Sequence, residues 1–300
     1  MITLSELKFI IAVAKEKNFR RAADKCFVSQ PALSLAVKKL EEDLNVTIFE
    51  RSRTEVKITP IGQKIINQAI VVLDEANKLK DISNVGQEQL KSPLKIGLIY
   101  SVAPYLLPLI IPELRKKTPE MPLDVEENIT KNLETALKNG SIEAAVIALP
   151  FDIPGTEYIP LYDEDFNVVV QSNHAWAKKK EIIAKDLSSE KVLLLNNEHC
   201  FSKQVVEACP ELSKKSEVLQ GNSLETIRNM VASNLGISVL PKTATAINYN
   251  NPLVKIIPFK NPVPFRRIAI AYRKSTVRME AIEKFVLALK DIKSKNIKIF

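Results

Sequence analysis

Two cysteines nine positions apart, Cys200 and Cys209, with His199 directly before the first, carry the most specific chemistry in this 300-residue chain. A thiolate is a nucleophile that oxidises reversibly, and two thiols can close into a disulfide. Spacing sets the condition. If the segment were helical, a rise of about 1.5 Å per residue would part the sulfurs by roughly 13 Å. A disulfide needs Cα atoms within about 7 Å. The pair therefore either never bonds, or bonds only after the segment unwinds, and in the second case oxidation stabilises a different local fold. His199, adjacent in sequence, need not point at the sulfur and equally suits a structural side chain bonded to backbone. Glu198 and Glu207 work against a thiolate, because nearby anions disfavour it. Arg266 or Arg267, on the approach to the apolar run from Ile268, could supply a compensating cation. The third cysteine, Cys26, lies far away in sequence and suits a small core position.

Positioning these groups falls to residues 91–300, where strands and helices alternate. Leu94–Ile99, Leu123–Glu127 and Ala144–Leu149 are expected strands. Between them come helices over Leu106–Lys117, after an entry holding Pro104 and Pro108, and over Thr130–Asn139. A second unit runs from Asn167–Gln171 through Val192–Leu195, a helix over Ser223–Ser233 and the strand Ile237–Pro241. Ile268–Tyr272 is a further strand and Glu280–Ile292 a closing helix. This alternation predicts a parallel α/β sheet. Two lobes follow, one of about 91–163 with 266–300 and the other of about 164–265, with crossings near 163 and 265. Such folds bind ligands in the crevice at strand carboxyl ends.

The N-terminal third is all helical save one hairpin. Thr3 with Glu6 makes a capping box for a first helix. Phe19 to Glu41 reads as two helices joined by a tight turn. Ser29 is a good N-cap and Pro31 sits in the first turn, where a missing N–H costs nothing. Leu33, Val37 and Leu40 repeat at helical spacing toward a core. Gln30, Ala32, Ser34 and Leu35 lie toward the other side, a set of short and amide side chains that suits a DNA major groove. Arg20, Arg21, Lys38 and Lys39 flank them and can meet phosphates. Thr47–Arg51 and Glu55–Ile58 read as strands of a wing whose Arg51 and Arg53 reach the DNA backbone or minor groove. Thr59 and Pro60 then open a long helix with apolar residues at Ile61, Ile65, Ile66, Ala69, Val72, Leu73, Ala76 and Leu79, running to about 82. Its broad apolar face suits pairing with the same helix of a second chain. The expected organisation is a DNA-binding domain over 1–58, a linker helix and hinge over 59–90, and a regulatory domain over 91–300.

Composition bounds the rest. The net charge of +8 comes from 43 Lys and Arg against 35 Asp and Glu, and much of the excess lies between Arg266 and Lys298 rather than in the first 60 residues. Net charge alone therefore supports solubility more than a DNA site, which rests on the local stripe Lys15, Lys17, Arg20, Arg21, Lys25, Lys38 and Lys39. An odd cysteine count argues against a disulfide framework. No spacing fits a zinc site, and no glycine-rich phosphate loop appears, so neither metal nor cofactor is expected. No apolar run reaches the length of a membrane span and no signal peptide opens the chain, which implies a cytoplasmic protein with no membrane partner.

The run Val28-Ser29-Gln30-Pro31-Ala32-Leu33-Ser34, with Phe19, Ala22-Ala23, Leu40-Glu41, Leu44, Ile48-Phe49-Glu50-Arg51 and Thr59-Pro60-Ile61-Gly62, resembles the LysR-type family of bacterial transcription regulators over residues 1 to about 85. The following α/β portion resembles that family's two-lobed effector domain, which is similar to periplasmic binding proteins. Leu193 to Cys209, Gly221 to Ala232 and Ile96-Gly97-Leu98-Ile99 with Ala103 to Pro108 resemble its hydrogen-peroxide-sensing OxyR branch. The resemblance implies a redox switch at Cys200 and Cys209, with Cys200 attacking hydrogen peroxide and Cys209 resolving the sulfenic acid. It also implies a peroxide pocket of Ser101, Thr130, His199 and Arg266, in which Ser101 stands where that branch has threonine, keeping the hydroxyl and losing a methyl. Implied partners are double-stranded operator DNA, a second copy of the chain in a homodimer or homotetramer, and RNA polymerase if the protein activates. Two other readings use the same residues: a regulator that binds a small metabolite between the lobes and has inert cysteines, and a thiol peroxidase. The resemblance implies no enzyme activity.

Overall fold

Thr3 opens the first helix, α1 (Leu4–Glu16), with the expected capping box. Its Oγ1 accepts the Glu6 N–H at 3.2 Å, and the Glu6 carboxylate accepts the Thr3 N–H at 2.8 Å. The structure, a computed structural model, describes residues 2–51, 56–83, 89–210, 212, 219–246 and 251–300. Two compact units are present, the first built on residues 1–87 and the second on 88–138 with 142–300.

In the first unit, Asn18 caps α2 (Phe19–Lys25) and Ser29 caps α3 (Gln30–Leu44), which carries Pro31 in its first turn. Leu33, Val37 and Leu40 are fully buried against Ile10, Val13, Ala22 and Ile48. Strands β1 (Phe49–Arg51) and β2 (Val56–Ile58) pair antiparallel as the wing. Arg53 lies outside the described residues, as does the side chain of Arg51. The long helix α4 (Pro60–Ser83) starts at Thr59, whose Oγ1 accepts the Gly62 N–H at 2.9 Å and donates to the Thr47 carbonyl at 2.7 Å. Ile66 and Ala69 face the unit's own core, whereas Ile61 and Val72 are exposed. The side chain of Leu79 lies outside the described residues.

The second unit holds two lobes on one extended strand. In one lobe β3 (Leu94–Ile99), β4 (Leu123–Asn128) and β5 (Ala144–Ala148) run parallel, with helices α5 (Ala103–Lys117), α6 (Thr130–Asn139) and α9 (Met279–Lys290). In the other, β7 (Val192–Leu195), β8 (Leu219–Gly221) and β9 (Ile237–Pro241) run parallel, with α7 (Cys200–Ala208) and α8 (Leu224–Ala232). Between them runs β6 (Thr156–Gln171), antiparallel to β11 (Phe265–Arg273) along its first part and to β9 and β10 (Val254–Pro258) along its second. A short β12 (Lys298–Ile299) also joins β6. Each lobe has its own apolar core.

Three expectations need correction. The sheet is mixed, not purely parallel, and the strand expected at Asn167–Gln171 begins at Thr156. The charges Asp163, Glu164 and Asp165 interrupt its apolar pattern, so the run does not read as one strand. Helix α5 begins at Ala103, ahead of Pro104, and keeps Pro108 and Pro112 inside it. These three prolines recur every four residues and are all exposed, so the carbonyls that lose N–H partners lie on one wet face where water satisfies them.

Candidate functional site: a buried arginine and two separated thiols

The site forms at the carboxyl ends of parallel strands. In the β3–β4 ladder Ile99 stands opposite Asn128. Two residues beyond each lie Ser101 and Thr130, so both follow the carboxyl ends of adjacent strands. Ser101 is buried and its Oγ accepts from Nη1 of Arg266 at 2.7 Å, while the Ser101 carbonyl accepts from Nη2 at 2.9 Å. Thr130 opens α6, and its Oγ1 is buried with no hydrogen-bond partner among the described residues. A buried hydroxyl left unpaired costs free energy, and an oxygen-bearing ligand or water satisfies it.

Arg266 is wholly buried, and its charge is met by Glu164: Nε donates to Oε2 at 2.8 Å. Glu164 in turn accepts the Thr243 N–H at 2.9 Å and the Thr243 hydroxyl. The guanidinium lies 5.0 Å from the ring centre of Phe201, the residue after Cys200. Burial pushes the nearby Tyr162 phenol well above its ordinary range, with Glu164 adding to the effect.

Opposite, Leu195 ends β7 and the chain turns into α7. The Ser202 hydroxyl donates back to the Leu195 carbonyl, and His199 N–H to the Asn196 carbonyl at 3.1 Å, which fixes the helix start. Cys200 is its first residue and Cys209 its C-cap. Both are thiols. Cys200 is half-buried and packs against the core that holds β3 to β5, whereas Cys209 is fully buried in the core that holds β7 to β9. None of the described hydrogen bonds ends on the Cys200 sulfur. At about 1.5 Å per residue, the intact helix holds the two far outside bonding distance.

His199 is buried, its ring 5.7 Å from that of Tyr100 in an edge-on contact. Burial lowers its pKa below the ordinary value and Glu198 opposes only in part, so the imidazole is neutral near pH 7. The expectation of a cation beside the thiol is modified here: Arg266 is already held by Glu164 and Ser101, and Arg267 faces outward onto Asp163 at 2.8 Å. Beside α7 a cleft of about 900 Å³ is lined by Leu149, Phe151, Tyr158, Gln204, Glu207 and Arg267, among others. Gln204 reaches across, its Nε2 donating to the Leu149 carbonyl at 3.2 Å.

The structure thus brings Ser101 and Arg266 into direct contact, and His199 against Tyr100. It places Cys209 elsewhere. Glu164, Tyr100, Phe201 and Gln204 were not foreseen from the sequence. None of them carried a local signal: Glu164 lies in an acidic run where the chain was expected to cross between lobes, and only its pairing with Arg266 takes it inside.

In the first unit Gln30, Pro31, Ala32, Leu35, Lys38 and Arg20 are exposed on or beside α3, Ser34 is half-buried, and the Ser29 Oγ accepts the Ala32 N–H at 3.4 Å. Arg21 is exposed too, but its Nη2 donates to the Glu16 carbonyl at 2.7 Å, so it also closes the end of α1. Lys38 pairs with Glu42 at 3.6 Å, and Lys39 with the buried Glu6 at 3.2 Å. Contacts with Thr3 and Lys39 hold the Glu6 carboxyl below its ordinary range against the opposing effect of burial. No helix among the described residues is long and apolar enough to cross a membrane.

Residues 4–63 match the model of the bacterial regulatory helix-turn-helix protein, lysR family, and residues 87–293 that of the LysR substrate binding domain. The chain is 36% identical over 273 residues to the hydrogen peroxide-inducible genes activator of Dickeya chrysanthemi, covering 91% of this chain and 90% of that one. It is 34% identical to the DNA-binding transcriptional dual regulator OxyR of Escherichia coli K12, over 96% and 95% of the two. Among solved structures it is similar to a full-length OxyR variant from Pseudomonas aeruginosa, with TM-score 0.79, 42% identity and coverage of 99% and 98%. A peroxide-bound OxyR mutant from Corynebacterium glutamicum matches with TM-score 0.65 and 34% identity over 96% and 91%.

Proposed function

The chain belongs to the lysR family of bacterial helix-turn-helix regulators, and from that membership we propose that it senses hydrogen peroxide through Cys200 and Cys209 and passes the signal to DNA. It is a peroxide-sensing, DNA-binding transcriptional regulator, a reading supported by relatives of that description across nearly the full chain. The observation that carries the switch is the separation of the two thiols: one packs on each lobe's core, at opposite ends of a nine-residue helix.

The chemistry runs in two steps. The Cys200 thiolate attacks one peroxide oxygen, an S–O bond forms as O–O breaks, and the leaving hydroxide takes a proton to become water. Cys200 is then a sulfenic acid. The Cys209 sulfur attacks the Cys200 sulfur, S–S forms, S–O breaks, and a second water leaves with the Cys209 proton. Peroxide is reduced and the two thiols are oxidised. Ser101, Thr130 and Arg266 would orient the peroxide oxygens and stabilise the leaving one. His199, neutral and packed on Tyr100, would shape the pocket. The second step requires α7 to unwind, because the folded helix holds the thiols too far apart, and the disulfide then favours the altered fold of that segment.

On the DNA side, Gln30, Ala32, Ser34 and Leu35 would face bases from α3, with Ser29 and Pro31 setting its first turn. Arg20, Arg21, Lys38, Arg51 and Arg53 would contact phosphates. The protein would act in the cytoplasm as a homodimer or homotetramer, and would meet RNA polymerase where it activates. The cleft beside Gln204 is what favours the metabolite reading. Peptide mapping after stepwise peroxide tests the two: a Cys200–Cys209 disulfide supports the switch, and unaltered thiols with changed DNA binding would favour a ligand in the cleft.

A further inference from the structure

The turn between α2 and α3 ends in a geometry that suits glycine and is filled by phenylalanine. Cys26 is the C-cap of α2, Phe27 follows with φ 55°, and the Phe27 N–H donates to the Asp24 carbonyl at 3.2 Å while the Val28 N–H donates to that of Ala23 at 3.1 Å. These are the two bonds of a Schellman motif, whose left-handed position is usually glycine or asparagine. A side chain there is strained, and a bulky one more so. The other non-glycine residues with positive φ are Lys17, Asn45 and Asn234, so Phe27 is the one apolar case among the described residues. Burial would repay the strain, but Phe27 is 96% exposed. The fold therefore gains nothing from this ring and would be better served by asparagine.

The surroundings indicate what the ring is for. Two residues on, Ser29 caps α3, whose N-terminal end carries partial positive charge and unpaired N–H groups. Arg20, Arg21, Lys25 and Lys38 are exposed on the same pair of helices, and Leu35, within the first two turns of α3, is 70% exposed. An exposed aromatic ring next to a helix N-terminus, on a helix pair that carries exposed cations, suits a polyanion better than an apolar protein surface or a lipid. On duplex DNA the apolar atoms within reach of a groove edge are deoxyribose carbons and the thymine C5-methyl. We propose that Phe27 is a DNA contact, its ring packing on those carbons beside the groove that α3 enters. This rests on the DNA-binding reading above and adds a residue to it.

The test uses the full-length protein and a duplex selected by the wild type from a random-sequence pool. Phe27→Asn should bind that duplex about tenfold more weakly, while Phe27→Leu, which keeps an apolar side chain, should stay within about threefold. The dependence of log K on log salt should keep its slope in both, because no phosphate contact is removed. Phe27→Asn should melt at the same or a higher temperature than wild type, which excludes unfolding as the cause of weaker binding. Wild-type affinity in Phe27→Asn would overturn the proposal. So would a loss of affinity that tracks dissociation of the assembly in sedimentation, since the ring would then be a contact between copies. If the wild type selected no sequence, the DNA-binding reading itself would fall first, and this inference with it.

Discussion

Arg266 stands directly opposite Glu164 in the β6–β11 ladder, and their side chains meet at 2.8 Å with neither exposed. One position along, Arg267 stands opposite Asp163 and the pair faces outward. The two-residue alternation of a strand thus puts one ion pair inside and the other in solvent from four consecutive-looking charges. The inner pair is costly to bury and costlier to break, since removing one partner leaves an uncompensated charge worth about 3–5 kcal/mol. Its place is between the lobes, where Arg266 also holds Ser101.

Glu164→Gln should therefore destabilise the protein by about 3 kcal/mol in denaturant unfolding, far more than Asp163→Asn, whose ion pair faces solvent. Equal effects of the two substitutions would show that the inner pair is not the fixed point described here.

Arg266→Ala, Ser101→Ala and Thr130→Ala should each slow the oxidation of Cys200 by peroxide, and stopped-flow measurement of sulfenic acid formation checks it. Loss of a preorganised hydrogen-bond donor costs about 10²–10³ in rate in well-studied oxyanion sites, so Arg266→Ala should give the largest effect. DNA affinity of the reduced Ser101→Ala and Thr130→Ala proteins should be unchanged. Wild-type rates in all three would remove these groups from the peroxide pocket.

Burial holds His199 below its ordinary pKa of 6.5. As pH falls through that value the unfolded chain takes up a proton that the folded chain refuses. The unfolded state then binds more protons, so stability must fall as pH falls in this window. His199→Phe should flatten that part of the stability–pH curve between about pH 7 and about pH 5. An unchanged slope would mean that the imidazole is wetter than its place against Tyr100 indicates.

Val72, 38% exposed on α4, is expected to meet a second chain. Val72→Glu would bury a charge at that contact and should yield monomers in sedimentation, with weak DNA binding. A variant that sediments as the wild type would show that the outer face of α4 is not the seam.

Much of the first unit could be read from the residues themselves. The cap at Ser29, the buried Leu33, Val37 and Leu40, and the capping box at Thr3 follow from local rules and stand as expected. Ser101 and Thr130, by contrast, were implied by the family resemblance and by no local rule, and the helix that follows Ser101 has no side-chain cap. What escaped were relationships set by tertiary pairing. Glu164 sits in an acidic run that looks solvated, and only its register against Arg266 takes it inside. Tyr100 beside His199, and Phe201 beneath Arg266, join residues 99 and 65 positions apart, which no local period reports. The start of α5 was missed for a different reason: proline usually breaks a helix, and only their shared exposed face makes Pro104, Pro108 and Pro112 tolerable.

The central claim is that Cys200 and Cys209, held apart by α7, are joined within one chain by peroxide. Intact-mass and peptide mapping of the full-length protein after stepwise addition of peroxide tests this most directly, with Cys209→Ser run alongside. The wild type should lose two hydrogens and yield a peptide joining Cys200 to Cys209, at the same doses that change its DNA binding. Cys209→Ser should stop at sulfenic acid on Cys200 and pass on to the sulfinic form as peroxide rises. Both cysteines recovered as thiols, at doses that alter DNA binding, would contradict the account.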